Sequence, residues 1–316
     1  MRYDASVATT ARDEPDAIGR YVQLPGLRAH YLDFGGQGRP VVLLHGLASS
    51  SRIWSIVARA LARTNRVVAL DQRGHGLSAK PDTGYDVATV AGELAAFIDE
   101  LRLRRPVIVG HSWGAHVALE FAARYPEVAA GVVLVDGGIE ALDGKSWAEV
   151  EREMAPPDLS HLTPAGLIAQ VREWDWGRFW NADVEATLLS LFELAADGTV
   201  RPRLSKRNHM QILRAVWEQS LPDVYAAMVA PVAIMPAIGG PEEAVEKRRQ
   251  VARARALLRQ STVRWFPDSS HDIPLEHPAE LAKAIGSFAS KLDAASIPDV
   301  NPRLNLAPMS GVGAGA

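Results

Sequence analysis

The chain has no cysteine. That excludes disulfides, thiolate nucleophiles and cysteine-ligated metal centres, while fitting any redox compartment. No window approaches 18 uninterrupted apolar residues, so no membrane span is predicted. The polar N-terminus around Arg12, Asp13 and Asp16 also lacks the apolar stretch of a secretory signal. There is no lysine- or arginine-rich block, and the formal net charge is −3, so nucleic acid is not an expected partner. Asp, Glu and His are too scattered to compose a metal site. The glycine-rich run Gly35-Gly36-Gln37-Gly38 precedes its strand, and no G-x-G-x-x-G opens a helix, so no cofactor is expected. These absences point by default to a cytoplasmic protein.

What is present is a core. The chain has 316 residues, 47% of them hydrophobic, which suits one large α/β domain carrying an insertion. Short, largely β-branched runs without polar alternation, at Pro40–Leu44, Val67–Asp71, Pro106–Gly110, Gly131–Val135 and Pro231–Met235, read as strands buried on both faces of a parallel sheet. Between them lie amphipathic stretches. One has Asp86 as a candidate cap ahead of Val90, Leu94, Phe97, Ile98 and Leu101.

The alternation stops over residues 139–228, which read as a helical cap inserted into a core of 20–138 and 229–293. Residues 1–19 read as a loose arm and 294–316 as a flexible tail. Within the cap, Thr163-Pro164 starts one helix and Asp183 starts another that continues through Ala195 to Gly198. Asn208 with Gln211 has capping-box spacing for a third. Five of the eight tryptophans fall in the cap; Trp174, Trp176, Trp180 and Trp217 are the candidates for lining an apolar substrate pocket, the alternative being ordinary cap core.

The most informative stretch is Gly110-His111-Ser112-Trp113-Gly114, where a buried strand runs straight into an alanine-rich helix. This is the context of a G-x-S-x-G nucleophile elbow, which holds a serine at the tip of a sharp turn. A serine hydroxyl becomes nucleophilic only when a base takes its proton, an acid orients that base, and donors receive the oxyanion. His271, in a loop between the last strand and last helix, follows the serine in chain order and is the candidate base. Asp136 lies at the tip of the strand beside the nucleophile strand and is the candidate acid; Glu242 or Glu243 could replace it. The backbone N–H groups of Leu47 and Trp113 are the candidate oxyanion donors, and the Trp113 ring could form a pocket wall. His45, Asp71, Arg73 and His75 are expected to brace neighbouring loops.

On the motifs LLHG at 43–46, DQRGHGLS at 71–78, GHSWG at 110–114, LVDGG at 134–138 and SSHDIPLEHP at 269–278, the chain resembles the α/β-hydrolase superfamily across about residues 20–293. The resemblance implies a mostly parallel eight-stranded sheet with a helical cap after the sixth strand, Ser112 as nucleophile and His271 as base. Most relatives place the acid after the seventh strand. Acid placement here is similar to the subset with an acid after strand six, including the zearalenone-type lactonases. Haloalkane dehalogenases and epoxide hydrolases use an aspartate where Ser112 stands, which argues against both activities. The leading expectation is therefore a serine hydrolase cleaving an ester or lactone of a largely apolar small molecule through an acyl-enzyme. The alternatives are a C–C bond hydrolase of ring-cleavage-type diketones and a non-catalytic small-molecule receptor. Apolar cap positions could support a homodimer.

Overall fold

The computed structural model describes residues 17–139, 142 and 144–292, so the expected arm up to residue 16 and the expected tail lie outside the described residues. In chain order the first part of the core is β1 (Ile18–Leu24), β2 (Leu27–Gly35), β3 (Pro40–Leu44), α1 (Ser55–Leu61), β4 (Arg66–Asp71), α2 (Val87–Glu100), β5 (Val107–His111), α3 (Trp113–Arg124) and β6 (Gly131–Val135). The inserted part holds α4 (Trp147–Met154), α5 (Pro164–Arg172), α6 (Ala182–Ser190), β7 (Phe192–Leu194), β8 (Val200–Pro202), α7 (Lys206–Glu218) and α8 (Leu221–Ala227). The core resumes with β9 (Val232–Met235), β10 (Ala237–Ile238), α9 (Pro241–Leu257), β11 (Ser261–Val263), β12 (Phe266–Pro267), α10 (Ile273–Glu276) and α11 (Pro278–Lys291).

Eight strands form one sheet in the order β1-β2-β4-β3-β5-β6-β9-β11. The β1–β2 and β2–β4 pairs are antiparallel and the rest parallel. The fold class expected from the sequence is thus the one observed, with inserted helices forming a cap. The uninterrupted apolar runs have a plain cause: β5 and β6 are buried along their whole length, with layers of helices on both faces. Val90, Leu94, Phe97 and Ile98 of α2 pack on one face, while Val57 and Leu61 of α1 and Leu281 and Ile285 of α11 pack on the other. Each such side chain contributes about 1.5–3 kcal/mol by leaving water. Asp86 caps α2, accepting the Thr89 N–H at 2.8 Å.

Two cap expectations are corrected. The helix starting near Asp183 stops at Ser190 rather than running through Ala195. Phe192–Leu194 instead pairs antiparallel with Val200–Pro202. Gly198 (φ 83°) turns the chain there, and Asp197 Oδ1 accepts the Thr199 N–H at 3.0 Å. The cap of α7 is Ser205, accepting the Asn208 N–H at 3.1 Å, so Asn208 lies inside the helix. The Asn208 side chain donates to the Tyr85 hydroxyl at 2.7 Å, tying the cap to the core.

Candidate active site

Ser112 sits between β5 and α3 with φ 52° and ψ −120°, a backbone conformation that L side chains rarely adopt. Its N–H donates to the Val135 carbonyl at 3.0 Å, tying the turn to the end of β6. The flanking glycines are required by close approach. A Cβ on Gly110 would stand 2.2 Å from the Gly114 oxygen, and one on Gly114 would stand 2.5 Å from the Leu44 oxygen. Helix α3 can therefore start directly against β3 and β5, leaving the serine half-buried at the carboxyl end of the sheet.

Asp136 follows β6 at φ 38° and is 2% exposed. One carboxylate oxygen accepts from His271 Nδ1 at 2.7 Å. The other accepts the Ala237 N–H at 3.0 Å and a proton of the Lys247 ammonium at 2.9 Å. Burial alone would raise its pKa, but the His271 hydrogen bond and charge, with Lys247, outweigh that and bring it down to about 2. The sequence alternatives lie elsewhere: Glu243 accepts the Gly239 N–H at 3.1 Å, and Glu242 is exposed in the first turn of α9.

The loop carrying His271 is held at several points. His111, buried beside the serine, donates from Nε2 to the His271 carbonyl at 2.9 Å. Glu276 accepts the Ser270 N–H at 2.6 Å and pairs with Arg178 of the cap. The cap indole of Trp176 donates to Asp272, the next residue after the histidine, at 2.6 Å. With its Nδ1–H committed to Asp136, the imidazole presents Nε2 as its basic nitrogen.

The loop after β3 brings Gly46 against the serine, its ideal Cβ position lying 3.5 Å from Ser112 Oγ, and Leu47 follows, half-buried. His45 donates from Nδ1 to the Gly46 carbonyl at 2.8 Å and accepts the Gln72 N–H at 3.1 Å. His75 donates to the Arg73 carbonyl at 2.8 Å and accepts the Ala48 N–H at 3.3 Å. Asp71 accepts the N–H groups of Ser51 and Leu77 at 2.7 and 3.0 Å, and the buried Arg73 pairs with Glu93. Two neighbouring loops are thus stitched together around the turn.

A cavity of about 260 Å³ opens beside this loop, between Ala48, Ser49 and His75 on the core and Trp174, Trp176, Leu188, Phe192 and Leu204 on the cap. Of the four tryptophans expected there, Trp180 and Trp217 are elsewhere. Trp180 packs under the Arg172 guanidinium, and Trp217 donates to the Lys145 carbonyl at 2.9 Å beside Trp147. The Trp113 ring does not line this cavity; it is buried and stacked on His75 at 5.1 Å. A second, polar cavity of about 780 Å³ is lined by His30, Arg52, Arg59, Asp71 and Asp183, among others, and neither cavity is lined by Ser112, Asp136 or His271.

Residues 41–284 match the model of the alpha/beta hydrolase family. The chain belongs to that family. It is similar to the 2-(acetamidomethylene)succinate hydrolase of Mesorhizobium japonicum, 28% identical over 260 residues that cover 80% of this chain and 88% of the relative. A crystal structure of E-2-(acetamidomethylene)succinate hydrolase superposes with TM-score 0.72 at 25% identity, covering 87% of this chain and 99% of that one. A shorter similarity, 37% identity over 119 residues, joins it to the N-formylmaleamate deformylase of Pseudomonas putida, covering 37% of this chain and 44% of the relative.

In this alpha/beta hydrolase the histidines around the turn are held neutral. Burial pushes His45 and His75 down from the ordinary value, and burial with the neighbouring His271 brings His111 to about 4. The sign follows: the unfolded chain takes these protons near pH 6.5 and the folded chain only at lower pH. Their contribution is fully present above pH 6.5 and is lost as pH falls, for His111 down to about pH 4. Denaturant titrations at pH 7.5, 6 and 5 should show unfolding free energy falling progressively below pH 6.5. A flat profile would contradict it.

Three features at the site have no signal as motifs: His111 as an anchor of the base loop, the Trp176–Asp272 link, and Lys247. Only Lys247 leaves a trace, as the first residue of the buried stripe Lys247, Val251 and Ala254 on an otherwise charged helix. Among the described residues no group of three or more His, Asp or Glu side chains is placed to hold a metal ion, and no helix is long and apolar enough to cross a membrane.

Proposed function

We propose that this chain is a serine hydrolase acting on a small metabolite, with Ser112 as nucleophile, His271 as general base and then acid, and Asp136 as its orienting acid. The hydrogen bond from His271 to Asp136 at 2.7 Å, at the same end of the sheet as the elbow, carries this reading. Ser112 Oγ attacks the carbonyl carbon as His271 Nε2 takes its proton. The N–H groups of Leu47 and Trp113 receive the oxyanion. The imidazolium returns the proton to the leaving atom, giving an acyl-serine. Water, deprotonated by His271, then attacks that ester, and collapse releases the acid and restores Ser112.

The relatives bear on which bond breaks. Their names describe hydrolysis of an acetamidomethylene compound and removal of a formyl group from a maleamate, which favours a bond from the acyl carbon to nitrogen or carbon. The C–C alternative drawn from the sequence, widened to C–N, therefore stands ahead of the ester or lactone. The second reading, an ester or lactone, is favoured by the apolar lining of the cavity beside Ala48. Purified protein should be assayed against an N-acyl enamine, a vinylogous diketone, a lactone and a p-nitrophenyl ester. The N-acyl or diketone substrate should give the largest kcat/KM, and a lactone or ester in first place would reverse the order. An organophosphate should add one label to the wild type; no label at any pH would refute a serine mechanism.

A further inference from the structure

The cavity between the loop after β3 and the cap is walled mostly by apolar side chains, yet Arg203 is one of its lining residues. Among the described residues no carboxylate lines it. His75 is committed at both ring nitrogens, to the Arg73 carbonyl and the Ala48 N–H, and His209 hydrogen-bonds the Met154 backbone. Burial pushes both imidazoles down from the ordinary value. Arg203 is therefore the permanent positive charge in this wall.

The arginine is held in place just after β8. Its N–H donates to the Leu191 carbonyl at 2.8 Å, Nε to the Ser190 carbonyl at 3.1 Å and Nη1 to Glu193 Oε1 at 2.7 Å. The Arg203 side chain is 22% exposed and that of Glu193 55%, so Glu193 offsets the charge from the solvent side. A guanidinium carries five N–H groups, and among the described residues Nη2 has no hydrogen-bond partner, so the Nη1–Nη2 edge keeps a fork for a carboxylate. Lys80 faces the same region: it donates to the Gly76 and Ser78 carbonyls at 2.9 and 3.0 Å and is pushed down by burial and then by Arg203. The remaining carboxylate there, Asp71, is committed to His30 and to the Ser51 and Leu77 amides.

The cavity adjoins the reaction site without reaching it. Ala48 and Ser49 come directly after Leu47, and Trp176 of the opposite wall holds Asp272 beside His271, but Ser112 is not in the lining. A molecule with its carbonyl on Ser112 sends its remote end past Ala48. At about 260 Å³ the space lies below the range of about 300–1,000 Å³ that takes drug-sized ligands, so it suits a small ring or a short chain. Resting on the serine-hydrolase reading above, we propose that this cavity binds a small apolar carboxylate, with the acid group on Arg203 and the hydrocarbon against Trp174, Trp176 and Leu188. Substrates of the site then carry an acid at the end remote from the bond cleaved. A neutral analogue of the same shape fills the space but covers the guanidinium without giving it an acceptor.

The test measures binding of phenylacetate and of phenylacetamide, near isosteres that differ in charge, by titration calorimetry at low salt. Wild type should bind the acid at least about tenfold more tightly than the amide, and in Arg203→Met that preference should collapse to near parity. Phenylacetate should also protect Ser112 from an organophosphate. A wild type that binds the acid no better than the amide, or binds neither, overturns the proposal. So does a preference retained in a folded Arg203→Met protein, or acid binding that leaves the labelling of Ser112 unprotected. If that variant does not fold by circular dichroism, Glu193→Gln decides. Removing the carboxylate that competes for Nη1 should raise the acid-to-amide preference by about threefold, and an unchanged preference overturns the proposal. A wild type that shows the preference but takes no organophosphate label and hydrolyses neither ester nor amide refutes the hydrolase reading and leaves the carboxylate site standing. A labelled, active wild type without the preference refutes this proposal alone.

Discussion

Replacing Ser112 with alanine is expected to lower kcat by roughly 10⁶-fold, the scale seen when the nucleophile of a serine triad is removed. Alanine keeps the Cβ, so the backbone at φ 52° is under no more strain than before, and thermal unfolding should match the wild type. A residual rate above that of water would come from the Leu47 and Trp113 amides and from substrate binding, which continue to act without a nucleophile. Organophosphate labelling should vanish in the same variant. A Ser112→Ala protein retaining more than about a hundredth of wild-type kcat would place the chemistry on another residue.

Changing Asp136 to asparagine should have the second largest effect, and it should appear in two measurements. The amide would meet His271 Nδ1 with a donor and favour the wrong imidazole tautomer, a change that costs about 10⁴-fold in kcat in a comparable triad. It would also leave the Lys247 ammonium buried at 2.9 Å from a neutral group. Breaking a buried ion pair from one side destabilises by roughly 3–5 kcal/mol, which a urea midpoint would report. Replacing Asp136 and Lys247 together should recover much of that stability but none of the rate. A kcat loss below about tenfold in Asp136→Asn would show that His271 is oriented by something else.

The parts of this molecule that are legible in its sequence are those fixed by near neighbours in the chain. The elbow is written in five residues, because close approach at Gly110 and Gly114 leaves no room for another side chain. The central strands are equally plain, since burial on both faces demands continuous apolar runs. Asp136 can be placed at the serine's side because consecutive parallel strands β5 and β6 are neighbours. The cap is less readable. Trp217 and Trp174 have the same residue type and different surroundings, and only the packing of α4 against α7 sends one indole to the Lys145 carbonyl while the other lines a cavity. Lys247 is the extreme case. On a helix carrying Glu246, Arg248 and Arg249, one more charge reads as a solvated face until β6 is seen to end beneath it.

The indole of Trp176 touches two things at once: its ring lines the cavity, and its N–H holds the residue next to His271. One cap side chain therefore ties the wall of the cavity to the support of the base loop, which Asp136, His111 and the Arg178–Glu276 pair also hold.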